Sequence, residues 1–170
     1  MRRLGSWGGH MSKDWIALLI FFGICFAVGA SGSAFTASSV KTWYPGLLKP
    51  AGTPPPWVFG PVWSILYLLM AAAAWLLWRQ RIHEGVWLAL ALFTAQLILN
   101  GLWSFIFFGL RRPGAALVEI IILLVSIAVA TMRFAQFSSL AFWLMAPYAT
   151  WVLYASYLNF GIWRLNKGLV

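Results

Sequence analysis

Residues 15–40, WIALLIFFGICFAVGASGSAFTASSV, contain no charged side chain. A helix of this composition can cross the roughly 30 Å hydrocarbon core of a bilayer, which takes about 20 apolar residues. Four further stretches have the same property, at residues 50–78, 85–110, 113–132 (interrupted by Glu119) and 134–163. The sequence therefore predicts an all-α integral membrane protein, a bundle of five transmembrane helices.

The composition agrees with a membrane protein and argues against other classes. Of the 170 residues, 62% are hydrophobic and 9% are charged, whereas about a quarter of the residues in a soluble domain are charged. The net charge of +9 is distributed over short loops and tails, so we expect no nucleic-acid partner. Cys25 is the single cysteine and both histidines lie outside the apolar runs, so we expect neither an intrachain disulfide nor a metal site.

The apolar runs also set the expected boundaries. We predict an N-terminal tail at residues 1–14, one membrane domain at 15–166 and a C-terminal tail at 167–170. The first run is long for a signal peptide, so we expect it to be retained as a helix. Lysines and arginines divide evenly between the two sides of such a bundle, so the sequence predicts no orientation. The spans are expected at about 15–37, 57–78, 86–108, 113–131 and 140–163.

The connection between the first two spans is unusual. Residues 41–63, KTWYPGLLKPAGTPPPWVFGPVW, contain six of the eight prolines and three tryptophans. A flexible tether would be rich in Gly and Ser. We therefore expect this stiff, apolar segment to pack against the helices.

Two stripes of large and small residues suggest a cavity. They lie at helical spacing in the second and fifth spans, and ordinary helix packing through the small residues is the alternative interpretation. Polar residues inside spans are candidates for function, and the alternative for Gln96, Asn100 and Asn159 is hydrogen bonding between helices. The stripes consist of Trp63, Tyr67, Met70, Ala71 and Ala74 in the second span and of Trp151, Ala155, Leu158 and Ile162 in the fifth.

Several motifs together resemble the translocator protein family, also called TspO/MBR or tryptophan-rich sensory proteins. The motifs follow one another along nearly the whole chain. They are TWY with L-x-KP, PPPWVFGPVW-x-x-LY, AQL-x-LN-x-x-W with IFFG, and PY-x-x-W-x-x-x-A-x-x-LN-x-x-x-WRLN.

The resemblance implies a five-helix membrane protein whose long first loop is the lid of a pocket. It implies binding of porphyrins, sterols and benzodiazepine-type drugs. The ligand-binding positions carried over from the family are Tyr44, Pro54, Trp63, Tyr67, Asn100, Trp151 and Ala155.

We expect a membrane receptor or carrier for porphyrin-type tetrapyrroles, with no required cofactor and no catalytic residue. The alternative is light- or oxygen-dependent porphyrin degradation through Trp63 or Trp151. Export of small aromatic compounds is a third reading, disfavoured because the sequence shows no inverted repeat. The expected partners are the porphyrin and membrane lipid, and the expected location is a bacterial cell membrane rather than the mitochondrial outer membrane.

The chain departs from the family pattern at three points. Gly52 replaces a tryptophan of the loop, and Phe105 replaces a proline in the third span. Phe160 occupies the usual tyrosine position of a proposed sterol motif, and Tyr157 is one residue too far from Arg164 to complete that motif. These departures therefore favour porphyrin binding over sterol binding.

Ala91 and Ala95 lie four residues apart in the third span. Small residues at this spacing let two helices approach closely in a membrane. They predict either a homodimer contact or a contact with the second or fourth span of the same chain.

Overall fold

The computed structural model describes residues 7–168, with side chains described from Asp14 onward. This range is helical and forms no strand, so the predicted all-α class is confirmed. A 3₁₀ turn, Tyr44–Gly46, follows the first helix, and a π-helical turn, Phe105–Gly109, continues the third. The helices are α1 (Trp7–Thr42), α2 (Pro56–Trp78), α3 (Val86–Ser104), α4 (Pro113–Ala135) and α5 (Ser139–Leu165).

Four segments are long and apolar enough to cross a membrane: Asp14–Thr42, Pro56–Trp78, Val86–Gly109 and Pro113–Ala135. Helix α5 has 27 residues but is less apolar, because residues 148–159 within it include three tyrosines and an asparagine. The chain is therefore an integral membrane protein.

The first helix differs from its predicted boundaries at both ends. Residues 1–6 and 169–170 of the predicted tails lie outside the described residues, whereas Trp7–Asp14 belong to α1. At the other end α1 continues past Ala37 to Thr42. In this part of α1 the hydroxyl of Thr36 donates to the carbonyl of Gly32 (2.8 Å) and that of Thr42 donates to the carbonyl of Ser38 (2.9 Å), so these polar side chains are satisfied within the helix. The connection to α2 is therefore residues 43–55.

The other helices begin within one residue of the predicted positions; α2 ends at Trp78 as predicted, whereas α4 and α5 run on further. Pro56 and Pro113 are the first residues of α2 and α4, where a missing N–H removes no helical hydrogen bond. The side chain of Ser138 caps α5 by accepting from the amide of Ala141 (3.2 Å). Helix α4 passes the predicted end at residue 131, and the third span ends in the π turn, in which the amide of Leu110 donates to the carbonyl of Phe105 (2.8 Å).

The five helices form a closed ring. Helix α1 packs against α2, α2 against α5, α5 against α4, α4 against α3, and α3 against α1. The connection between α1 and α2 also packs on the ring, with Tyr44 and Leu47 buried beside Phe107 and Ile162. The expectation that this segment packs against the helices is therefore confirmed.

Helix α1 is joined to α2 at the end of the bundle remote from that connection. Asp14 forms an ion pair with Arg81 (2.9 Å), and Trp15 stacks on Trp75 with ring centroids 6.0 Å apart. Further along, the backbone of α1 at Gly29 lies directly against the ring of Tyr67. Glycine permits this approach because it has no side chain.

We predict that Gly29→Ala destabilises the bundle. A Cβ atom at Gly29 would lie 2.6 Å from the Tyr67 ring, and relieving such overpacking costs about 1–3 kcal/mol. Thermal unfolding in detergent should show a lower Tm. The control is Gly23→Ala in the same helix, where a Cβ meets no atom within 4 Å. Equal Tm values for the two variants would contradict this account of the contact.

Candidate functional site

A cavity of about 620 Å³ lies within the half of the bundle nearest the 43–55 connection. Helices α1, α2 and α5, the end of α3 and the 3₁₀ turn surround it, whereas α4 does not line it. Its volume falls in the range of about 300–1,000 Å³ that is typical of small-molecule sites. The lining residues include Phe26, Gly29, Ser33, Lys41, Tyr44, Phe59, Gly60, Trp63, Tyr67, Trp103, Phe107, Phe108, Trp151, Ala155, Leu158, Asn159 and Ile162.

Aromatic rings form much of the wall and support one another. Trp63 lies against Tyr67, with ring centroids 5.6 Å apart and planes inclined by 30°. Trp151 of α5 meets the ring of Phe59 edge-on at 6.0 Å. On the α3 side, Trp103 stacks on Phe107 at 5.2 Å. These contacts hold broad apolar faces around the cavity.

Five of the seven residues predicted for the pocket line this cavity: Tyr44, Trp63, Tyr67, Trp151 and Ala155. The structure does not place the other two in its wall. Pro54 lies in the connection two residues before α2, and Pro56 lines the cavity instead.

Asn100 lies behind the wall, because a hydrogen-bond network occupies its amide. Its Oδ1 accepts from the hydroxyl of Tyr67 (2.7 Å), and its Nδ2 donates to the hydroxyl of Tyr148 (3.2 Å). All three side chains are buried. Asn100 therefore fixes the position of Tyr67 by joining α2, α3 and α5.

Asn159 lines the cavity but is similarly engaged. Its Oδ1 accepts from the indole of Trp103 (3.0 Å), and its Nδ2 donates to the carbonyl of Pro113 (2.7 Å). Gln96 is buried away from the cavity. Of the polar residues considered in the spans, Asn100 and Asn159 thus bond between helices, as the alternative interpretation held.

Helix α1 lines the cavity although none of the predicted site residues lies in it. It contributes Phe26 and a series of small residues from Gly29 to Ala37 to the cavity wall. The small residues were a visible signal, but they predict close packing as readily as an open wall. The aromatic residues of the π turn were also missed, since the sequence predicted an ordinary helix there.

One charged side chain, Lys41, lines the cavity. It lies in the last turn of α1 and is exposed. Nearby, the ammonium of Lys49 lies 4.8 Å from the centre of the Tyr44 ring and donates to the carbonyl of Leu47 (3.2 Å). Burial, with a smaller effect of Tyr154, raises the pKa of the Tyr44 phenol.

Side chains that commonly bind metals do not cluster in the described part of the chain. No three His, Cys, Asp or Glu side chains come together there. Cys25 is a buried free thiol outside the cavity wall. The site is thus a largely apolar, aromatic chamber with the cation of Lys41 at its rim.

These features define a multi-pass membrane protein with an internal small-molecule cavity. Residues 21–164 match the model of the TspO/MBR family, and the chain belongs to that family. The resemblance in the sequence motifs is confirmed.

Relatives from all three domains of life support this assignment. The tryptophan-rich protein TspO of Chlorobaculum tepidum is 42% identical over 161 residues, covering 92% of this chain and 99% of that protein. The tryptophan-rich protein TspO of Archaeoglobus fulgidus is 46% identical, covering 82% of this chain and 90% of that protein. The human translocator protein is 40% identical, covering 81% and 82% respectively.

We predict that Asn100→Leu lowers the stability of the bundle. The change leaves the buried hydroxyls of Tyr67 and Tyr148 without this partner, and an unsatisfied buried group costs about 1–3 kcal/mol. The measurement is the Tm in detergent. Thr94→Val is the control, because this hydroxyl on the same helix bonds to its own backbone at Leu90 (3.0 Å). A Tm as high as that of the control would show that the network contributes little.

Proposed function

We propose that this protein is a membrane receptor or carrier that binds porphyrin-type tetrapyrroles in the cavity. The observation that carries the proposal is the combination of broad aromatic walls with one cationic side chain at the rim. It fits a flat, apolar molecule with an anionic edge. No cofactor is needed for this function.

Stacking supplies the affinity for the ring. Trp63 and Trp151 present indole faces from two neighbouring helices, and offset stacking of aromatic rings contributes about 0.5–1.5 kcal/mol per pair beyond area burial. Tyr67 supports Trp63 from one side, and Asn100 holds Tyr67. The walls are thus rigid before the ligand arrives, which reduces the entropy lost on binding.

Lys41 supplies the polar end of the site. The carboxylates of a porphyrin carry negative charge at one edge of an otherwise apolar ring. A charge-assisted hydrogen bond from Lys41 to a carboxylate orients the ring within the cavity. Lys49 is less available, because it interacts with Tyr44 and with backbone carbonyls.

Porphyrin degradation is the second candidate function. The close contact between Trp63 and Tyr67, at 5.6 Å, favours it because neighbouring indole and phenol rings can share an oxidised state. Loss of bound porphyrin absorbance under illumination, absent in Trp63→Phe, would establish degradation in place of simple binding.

Sterols are not included in this proposal. Tyr157, the nearest tyrosine to the proposed sterol motif, donates its hydroxyl to the carbonyl of Ala51 (3.1 Å). Phe160 at the usual tyrosine position offers no hydroxyl. The motif therefore lacks a free tyrosine hydroxyl.

We further propose that α5 is the fifth transmembrane span and that the 43–55 connection is the lid of the cavity. Helix α5 packs along α4 and against α2, and Tyr44 of the connection lines the cavity. We place the protein in a bacterial cell membrane, in line with its similarity to bacterial relatives such as the one from Chlorobaculum tepidum.

We predict that Ala155→Leu weakens binding of protoporphyrin. The added atoms enter the cavity one helical turn from Trp151, and overpacking of about 1–3 kcal/mol lowers affinity by about tenfold or more. The measurement is a titration in nanodiscs, followed by tryptophan quenching and by porphyrin absorbance. Trp143→Phe is the control, because Trp143 lies on the outer surface of α5 with 67% of its area exposed.

The same titration with protoporphyrin dimethyl ester tests the role of charge, since the ester lacks the carboxylates. We expect wild type to bind the free acid more tightly than the ester. No saturable binding of either compound to wild type would refute the proposed function. Equal affinities of the Ala155→Leu and Trp143→Phe variants for protoporphyrin would show that α5 is not part of the binding site.

We also propose a homodimer through α3. Ala91 and Ala95 are both exposed on the outer surface of the bundle, so they do not serve as contacts within it. Leu88 and Ile98 are exposed on the same helix. The small residues thus leave a shallow strip at which a second copy can approach.

We predict that Ala91→Phe combined with Ala95→Phe yields a folded monomer that still binds protoporphyrin. The two rings block close approach from outside and touch nothing inside. Light scattering in mild detergent and in nanodiscs measures the oligomeric state, with Ala128→Phe on the exposed side of α4 as the control. A monomeric wild type in both media would contradict the dimer.

A further inference from the structure

The connection over the cavity is fastened to the end of α5. Asn166 holds Leu48 from both sides, because its Oδ1 accepts from the amide of Leu48 (3.0 Å) and its Nδ2 donates to the Leu48 carbonyl (2.9 Å). Asn166 is itself buried and bonded to the carbonyl of Ile162 (2.7 Å). This side chain therefore acts as a fixed clamp at one point of the connection.

Two tyrosines of α5 hold the next residues. Tyr154 donates its hydroxyl to the carbonyl of Gly52 (2.6 Å), and Tyr157 donates to that of Ala51 (3.1 Å). Gly52 has a φ of +83°, a conformation that favours glycine and that belongs to the turn closed by Thr53 on the carbonyl of Pro50. Gly52, which replaces a tryptophan of the family, thus permits the turn whose carbonyls accept hydrogen bonds from Tyr154 and Tyr157.

Steric fit adds to these hydrogen bonds. The ring of Pro50 lies so close to Gly161 that a Cβ atom there would come within 2.6 Å of it. Residues 48–52 thus follow the surface of α5 over more than three helical turns, from Asn166 back to Tyr154. Movement of this segment away from α5 would break all of these contacts together.

The cavity is not closed on the side between α1 and α2. Five small lining residues of α1 and α2 are exposed, whereas the lining residues of α3, the π turn and α5 are buried or half-buried. The five small residues are Ala30, Ser33 and Ala37 of α1 and Gly60 and Ser64 of α2. A gap therefore connects the cavity with the lipid that surrounds the bundle.

The gap arises because α1 changes its partner along its length. Near Gly29 it touches Tyr67 of α2, but beyond that point it leans on the end of α3. Phe35 packs against Phe105 at 5.1 Å, and Ser39 donates to the carbonyl of Phe108 (2.6 Å). These contacts hold the second half of α1 against the end of the third span.

The edges of the gap suit an apolar molecule. The hydroxyls of Ser33 and Ser64 donate to carbonyls of their own helices, those of Gly29 (2.9 Å) and Gly60 (3.0 Å). Their protons are therefore already used, and both edges present mainly methylene and methyl groups to the lipid.

We propose that Asn166, Tyr154 and Tyr157 keep the 43–55 connection closed and that a membrane-dissolved ligand reaches the cavity between α1 and α2. The inference rests on the proposed function, since it concerns the route by which the porphyrin enters. It assigns Asn166, Tyr154 and Tyr157 a role in holding the 43–55 connection in place. The small residues of α1 and α2 form the edges of the entry route.

The test compares two reversible cross-links in a Cys25→Ala background. One joins Ser33→Cys to Ser64→Cys across the gap, and the other joins Ala51→Cys to Tyr157→Cys between the connection and α5. Each pair is linked by a reducible bifunctional thiol reagent in nanodiscs. Protoporphyrin association is then followed by stopped-flow tryptophan quenching before and after reduction, so each reduced protein is its own control for folding.

We expect the link across the gap to slow association by about tenfold or more and the link on the connection to change the rate by less than about twofold. The proposal is overturned if the link between the connection and α5 slows association, whether or not the link across the gap does so too. It is also overturned if the link across the gap leaves the association rate unchanged. Absence of equilibrium binding in the reduced proteins and in wild type instead refutes the proposed function.

A second measurement tests the clamp itself. Tyr154→Phe combined with Tyr157→Phe removes two hydrogen bonds and keeps both rings. We expect faster hydrogen exchange of the amides of residues 48–53 and unchanged exchange in α4. Unchanged exchange in residues 48–53 would show that these hydroxyls do not hold the cover.

Discussion

The contact between Tyr67 and the backbone of α1 is the constraint on which the cavity depends. The ring lies against Gly29 on one face, its hydroxyl donates to Asn100, and Trp63 leans on it from the cavity side. In lipid, helices gain little from excluding water and associate through close packing and hydrogen bonds. This one side chain supplies both, and it joins three helices at the inner end of the cavity. Beyond it, α1 packs on the end of the third span.

Polar residues inside the bundle mostly serve the architecture. Asn100 joins Tyr67 to Tyr148, and Asn159 joins Trp103 to the start of α4. Because these amides are already satisfied, they offer little to a ligand. The rest of the cavity wall consists mainly of aromatic and small side chains, with Lys41 at the rim.

The departures from the family pattern acquire a physical meaning in the 43–55 connection. Gly52 takes up a left-handed conformation that a tryptophan would adopt only under strain, and its carbonyl accepts from Tyr154. Tyr157, which does not complete the proposed sterol motif, donates its hydroxyl to the carbonyl of Ala51. These residues make the connection a fixed part of the bundle, in keeping with its rigid composition.

The sequence by itself determined the helical class, the approximate spans and the aromatic residues of α2 and α5 that reach the cavity. Apolar length and helical spacing are local properties, so the sequence placed Trp63 with Tyr67 and Trp151 with Ala155 on common helix faces, and the resemblance to the family assigned those faces to a pocket. Tertiary structure decided the placement of Asn100 behind Tyr67, the contribution of α1 and the π turn after Ser104. Small residues and amides have the same local signature whether they face a helix, a ligand or lipid. Only the packing of α1, first on α2 and then on the end of α3, determines which of these they meet.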